Sequence, residues 1–161
     1  GWRASYVKSV DADPEAPCLF CRLPDEDDGA ALILERAEHA YSVLNRFTYT
    51  TGHLMVASYR HLADVSELNA DERSEIWDLL IRAQSALTRA MVPSGFNLRA
   101  NLGRVAGAGI PGHLHFHLVP RWAGDTNFMS TVGETRVMPL TLDQAWEKLA
   151  PVVRRLAESS A

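Results

Sequence analysis

Residues 113–119 read His-Leu-His-Phe-His-Leu-Val, so three of the chain's six histidines fall at every second position. This alternation constrains the fold more than any other feature. Successive side chains of a β-strand point to opposite faces, which puts His113, His115 and His117 in one row. Leu114, Phe116 and Leu118 then face apolar packing. A solvated strand face usually carries threonine, lysine or glutamate. A row of imidazoles instead suits metal binding and proton or phosphoryl chemistry near neutral pH. Pro120 is expected to end the strand, because proline cannot donate to a continuing ladder.

The surrounding pattern predicts a single α+β domain. Strands are expected at 31–35, 40–45, 53–59, 96–102 and 113–119, with a turn at 45–52 and an acidic loop at 24–29. The strongest helix is 71–92, where Ile76, Leu79, Leu80, Ala83, Leu87 and Met91 recur at helical spacing. Trp77, on the same helix, is read as packing. Asp71 and Glu72 suit the helix N-terminus, and Pro93 and Gly95 stop the helix. A last helix covers 141–159, which Pro151 should kink or split. Short connections imply an antiparallel sheet of about five strands, with the long helix on one face and the histidines on the other or at its rim. Residues 1–17 read as an irregular extension anchored by Trp2 and Tyr6, residues 18–161 as the domain, and 123–139 as irregular or short strands.

With 161 residues the chain can bury one real core. A formal charge of −4 argues against a nucleic-acid-coating protein but leaves room for a local basic pocket. No apolar run approaches the roughly 18–20 residues a membrane helix needs. The first residues lack a signal-peptide pattern, so a cytoplasmic location is expected. The only cysteines, Cys18 and Cys21, form CLFC. Alone, one CxxC leaves three readings open: a redox dithiol, half of a zinc site, or coincidence.

HLHFHLV resembles the signature of the histidine triad superfamily, His-x-His-x-His followed by two apolar residues. VLNRFTYTTGHLMV is similar to that family's nucleotide-binding stretch. The glycine loop from Asn101 to His113 is similar too, although about one residue longer than in related members. PRWAGDTNFM and WRASY resemble the bacterial branch that cleaves diadenosine tetraphosphate. The resemblance covers roughly residues 18–129 and implies a homodimeric enzyme that cleaves dinucleoside polyphosphates through a nucleotidyl-histidine intermediate.

Carried over residue by residue, the resemblance makes His115 the nucleophile, its other ring nitrogen donating to a backbone carbonyl. His117 and His53 become phosphate-side groups, and Asn45 a ribose contact. Asn101 becomes an amide donor, and Gly107, Ala108, Gly109 and Ile110 a loop whose N–H groups approach phosphates. The lesser alternatives are a turn cap for Asn45 and a satisfied strand histidine for His53. Cys18, Cys21, His61 and His113 correspond to a structural zinc site. Magnesium would accompany the polyphosphate, since it offsets phosphate charge. Arg46, Arg99, Arg104 and Arg121 are candidate phosphate partners. Phe20 and Phe47 could flank the base, though such aromatics usually serve as core. Trp122 suits core, dimer or substrate contact. Water and inorganic phosphate both stay open as acceptors. The alternatives are a nucleoside phosphoramidase, a zinc-stabilised nucleotide-binding module without turnover and, more distantly, a redox dithiol.

Overall fold

The computed structural model describes residues 17–48, 50–125 and 140–159. In chain order the elements are α1 (Leu19–Arg22), α2 (Asp28–Ala31), β1 (Ile33–Arg36), β2 (Ala40–Leu44) and β3 (Leu54–Ser58), followed by α3 (Ala70–Met91), β4 (Gly95–Ala100), β5 (His115–Arg121) and α4 (Leu142–Glu158). The five strands form one antiparallel sheet in the order β1-β2-β3-β5-β4. This is the expected α+β single-domain architecture. The Trp2–Tyr6 anchor and residues 126–139 lie outside the described residues.

The register assigns the two faces. Met55 pairs with His117 and Ala57 with His115. Arg99 pairs with His117 on the other side. Cross-strand partners share a face, so Tyr41, Val43, Met55, Ala57 and Arg99 stand with the histidines. Leu44, Leu54 and Leu118 occupy the opposite face, on which α3 packs. Ile76, Leu79, Leu80, Ala83, Ala86 and Leu87 of α3 are buried there. Trp77 lies off this stripe and is 54% exposed, so it is not the packing residue expected. α4 packs beside α3, and its Trp146 indole donates to the Ile33 carbonyl at 2.9 Å.

Four local expectations are corrected. The strand expected at 113–119 begins at His115, because the His113 N–H is used by a turn to Ile110 and the Leu114 N–H donates to Leu62. Pro120 does not end the strand, which continues to Arg121 with Pro120 opposite Phe96. Pairing with β3 stops at Leu118. The Arg121 carbonyl faces the β4 side, where it accepts from the Ser94 N–H. Pro120 therefore faces the side where no strand needs its missing donor. Pro151 does not split the last helix, which runs from Leu142 to Glu158 as one element. The carbonyl that loses its donor belongs to Glu147, on the exposed side, while Leu149, Ala150 and Val153 hold the other side in the core. Part of the expected acidic loop is also helical, since Asp27 caps α2 by accepting from Gly29 and Ala30.

Gly52 leads into β3 with φ +78°, and a Cβ there would lie 2.8 Å from Met91 Sδ and 3.0 Å from Leu87. Gly52→Ala is expected to cost about 1–3 kcal/mol, through backbone strain and overpacking. Gly95→Ala, which meets nothing within 4 Å, should be near neutral. Denaturant midpoints of the two variants test the contrast.

Candidate active site and candidate metal centre

Four potential metal ligands converge at one end of β5. Cys18 caps α1, Cys21 lies within it, His61 follows β3, and His113 precedes β5. Their donor atoms all lie within 4.8 Å of one another. Cys18 Sγ is 3.4 Å from His113 Nδ1, and Cys21 Sγ is 3.3 Å from His61 Nδ1 and 3.5 Å from His113 Nδ1. Ligands about 2.3 Å (sulfur) and 2.0–2.1 Å (nitrogen) from a tetrahedral ion sit roughly 3.6 Å apart, so the donor set fits such an ion. His113 Nε2–H donates to the Ser58 carbonyl at 2.8 Å, which leaves the Nδ1 lone pair facing the cysteines. Burial is the largest influence on Cys18 and works against its thiolate, but His113 and the Cys21 and Phe20 backbone N–H groups together outweigh it and bring the thiol down to about 6. Burial and the neighbouring Cys18 charge raise Cys21. A backbone carbonyl carries no side-chain signature, so the role of Ser58 could not be read from sequence.

The short helix that bears the cysteines is pinned to the histidine face. The Tyr41 hydroxyl donates to the Phe20 carbonyl at 2.7 Å. The Phe20 ring, only 1% exposed, lies 4.6 Å from the His115 ring and 5.4 Å from the His113 ring.

The histidine row is buried and ordered by hydrogen bonds. His115 Nδ1–H donates to the His113 carbonyl at 2.8 Å, so in the neutral ring Nε2 keeps its lone pair. The His115 and His117 rings stand edge-to-face with centroids 4.8 Å apart. His117 Nδ1 is 3.0 Å from His53 Nε2. Asn45 Nδ2 is 3.3 Å from His53 Nδ1, and its Oδ1 accepts from the Phe47 N–H at 2.9 Å. Asn45 thus caps the turn after β2 and touches His53 at once. Burial, aided by the Arg99 and His115 charges, pushes His53 down to about 4. Burial, with His115, His53 and Arg99, pushes His117 down to about 3. His115 is lowered by burial as well. All three rings are therefore neutral at pH 7.

The loop before β5 is held by Asn101, whose Nδ2 donates to the Gly107 carbonyl at 3.2 Å. Gly103 and Gly107 have φ of +82° and +89°, which glycine adopts without a Cβ penalty. The Gly107 and Ala108 N–H groups bond within the loop, to Arg104 and Gly103. Among the candidate arginines, Arg99 stands opposite His117. Arg46 donates to the Ala30 carbonyl, and Arg121 is engaged by Asp125 and Asn97. Phe47 is 40% exposed, and the Trp122 indole donates to the Met91 carbonyl at the end of α3.

Residues 27–124 match the HIT domain, and the chain belongs to the HIT family. It is 37% identical over 139 residues to the AP-4-A phosphorylase of Mycobacterium tuberculosis strain H37Rv, covering 86% of this chain and 70% of that protein. A Zn-bound histidine triad family protein from Mycobacterium smegmatis shares the fold, with a TM-score of 0.64, 20% identity and 96% of each chain covered. A HIT family protein from Bacillus anthracis superposes with a TM-score of 0.59 at 26% identity, covering 88% of this chain and 96% of its own.

If the four donors form one site, titration with a divalent tetrahedral ion such as Co²⁺ should saturate at about one ion per chain and raise the melting temperature. Cys18→Ala and His61→Ala should each abolish that saturation. Unchanged binding in both variants would show that the ion sits elsewhere.

Proposed function

We propose that this protein cleaves dinucleoside polyphosphates of the diadenosine tetraphosphate type by transferring a nucleoside monophosphate to His115. The observation that carries this reading is the bond from His115 Nδ1–H to the His113 carbonyl. It leaves Nε2 as an uncharged nucleophile and stabilises the cation that forms when Nε2 bonds to phosphorus. The bond from phosphorus to the departing polyphosphate oxygen breaks, and that oxygen leaves already ionised. In the second half-reaction, water or inorganic phosphate takes the nucleotidyl group and frees His115. The 37% identity to an AP-4-A phosphorylase supports the substrate class.

In this reading His117, with His53 behind it, serves the phosphate side, and Arg99 offsets phosphate charge. Asn101 shapes the glycine loop. Of its N–H groups, Gly109 and Ile110 carry no hydrogen bond to the described residues and would face phosphate oxygens, while Gly107 and Ala108 set the turn. Asn45 keeps a second amide hydrogen for a ribose hydroxyl. Magnesium would accompany the substrate. Zinc would be the ion held by Cys18, Cys21, His61 and His113, a closed set without an open position for chemistry. The catalytic unit would span 18–161, with 1–17 as an extension. The edge position of β4 suits a homodimer joined through the sheet. A cytoplasmic location belongs to the same reading; among the described residues no helix is long and apolar enough to cross a membrane.

Incubation with diadenosine tetraphosphate, with and without inorganic phosphate, tests the function. AMP plus ATP identifies hydrolysis, and ADP plus ATP identifies phosphorolysis. His115→Ala should lower turnover roughly 10³-fold or more. Full turnover in that variant, or no cleavage under either condition, would overturn the proposal.

A further inference from the structure

We propose that Asn45 is a positioning residue that fixes the ring protons of His53 and His117, so that His117 carries its hydrogen on Nε2. The inference rests on the reading of His117 as a phosphate-side group and adds how that group is set.

The order of the ring protons is set from the backbone. The Asn45 N–H donates to the His53 carbonyl at 2.9 Å, locking the two residues side by side. The Phe47 N–H needs an acceptor and finds Asn45 Oδ1 at 2.9 Å. A backbone N–H can only donate, so the orientation of the Asn45 amide is settled, and the group facing His53 Nδ1 at 3.3 Å is the NH₂. That group also only donates, so His53 Nδ1 accepts. A neutral imidazole has one N–H, and in His53 it must then be Nε2–H. Nε2 lies 3.0 Å from His117 Nδ1 and donates to it. His117 therefore carries its own hydrogen on Nε2.

Burial keeps this chain in one state. His53 is 1% exposed and His117 8% exposed, so neither ring readily takes a second proton. Arg99 and His115 disfavour such a proton further. The reversed chain would set an Asn45 N–H against a His53 N–H. Two donors, one of them on the fully buried His53 ring, would then face each other without an acceptor, which is disfavoured.

The result separates two identical side chains by function. His115 is held by a carbonyl and presents a bare Nε2, whereas His117 is held by another imidazole and presents Nε2–H. With neutral His53 behind it, His117 has no source from which to replace a proton it gave away. It therefore acts as a hydrogen-bond donor to a phosphate oxygen and not as a general acid. That suits a departing nucleotide, which leaves as an ionised phosphate, better than a departing amine, which needs a proton.

Long-range ¹H–¹⁵N spectra of the histidine rings, recorded on the full chain at pH 7, test the proposal without reference to turnover. Wild-type protein should show Nε2–H forms for His53 and His117 and the Nδ1–H form for His115. Asn45→Asp keeps the shape and the acceptor for Phe47 but turns the facing group into an acceptor. His53 Nδ1 should then become protonated. A wild-type His117 in the Nδ1–H form, or a His53 Nδ1 that stays unprotonated in Asn45→Asp, would overturn the proposal. The expected spectra from a protein that fails to cleave diadenosine tetraphosphate would overturn the proposed function and leave the positioning role of Asn45 standing.

Discussion

One hydrogen bond, from the His115 ring to the carbonyl of His113, joins the two halves of the site. His113 uses its backbone to set the His115 ring and its side chain to face Cys18 and Cys21. Its remaining ring nitrogen is spent on the Ser58 carbonyl. A single residue thus couples the cysteine-bearing helix, the end of β3 and the central strand. Phe20 adds a second brace, since it sits between the two cysteines in sequence and against His115 in space. Ordering the cysteine cluster and ordering the His115 ring are consequently one packing problem.

The sheet makes this arrangement rigid. β5 lies between β3 and β4, so its backbone is paired on both sides from Phe116 to Leu118, including His117, and with β3 at His115. The apolar residues that alternate with the histidines meet the face covered by α3, so a one-residue slip would drive the imidazoles into the core. Burial of the row against Met55, Ala57 and Phe20 in turn keeps the rings neutral, the protonation state in which an imidazole nitrogen can act as a nucleophile.

Much of this was legible in the sequence, because period-two alternation and helical stripes are direct consequences of chain geometry. The five strands, both long helices and the gathering of Cys18, Cys21, His61 and His113 follow from such patterns and from family resemblance. What was not legible depends on partners that sequence spacing does not reveal. Pro120 stays in the strand because pairing with β3 has already ended, and Pro151 stays in a helix because its orphaned carbonyl faces outward. Trp77 is exposed because it lies a fraction of a turn off the buried stripe. The double use of the Asn45 amide depends on where Phe47 turns back, and the Ser58 contact is made by a backbone atom.

The central claim is that His115 Nε2 is the atom that bonds to phosphorus. Rapid quenching of the protein with diadenosine tetraphosphate under single-turnover conditions, alkaline handling to protect a phosphorus–nitrogen bond, and peptide mass mapping test it directly. The expected result is one transient nucleoside monophosphate adduct on the peptide containing residues 113–119, located on His115. Product formed with the adduct on another residue, or with no adduct at any time point, would contradict it.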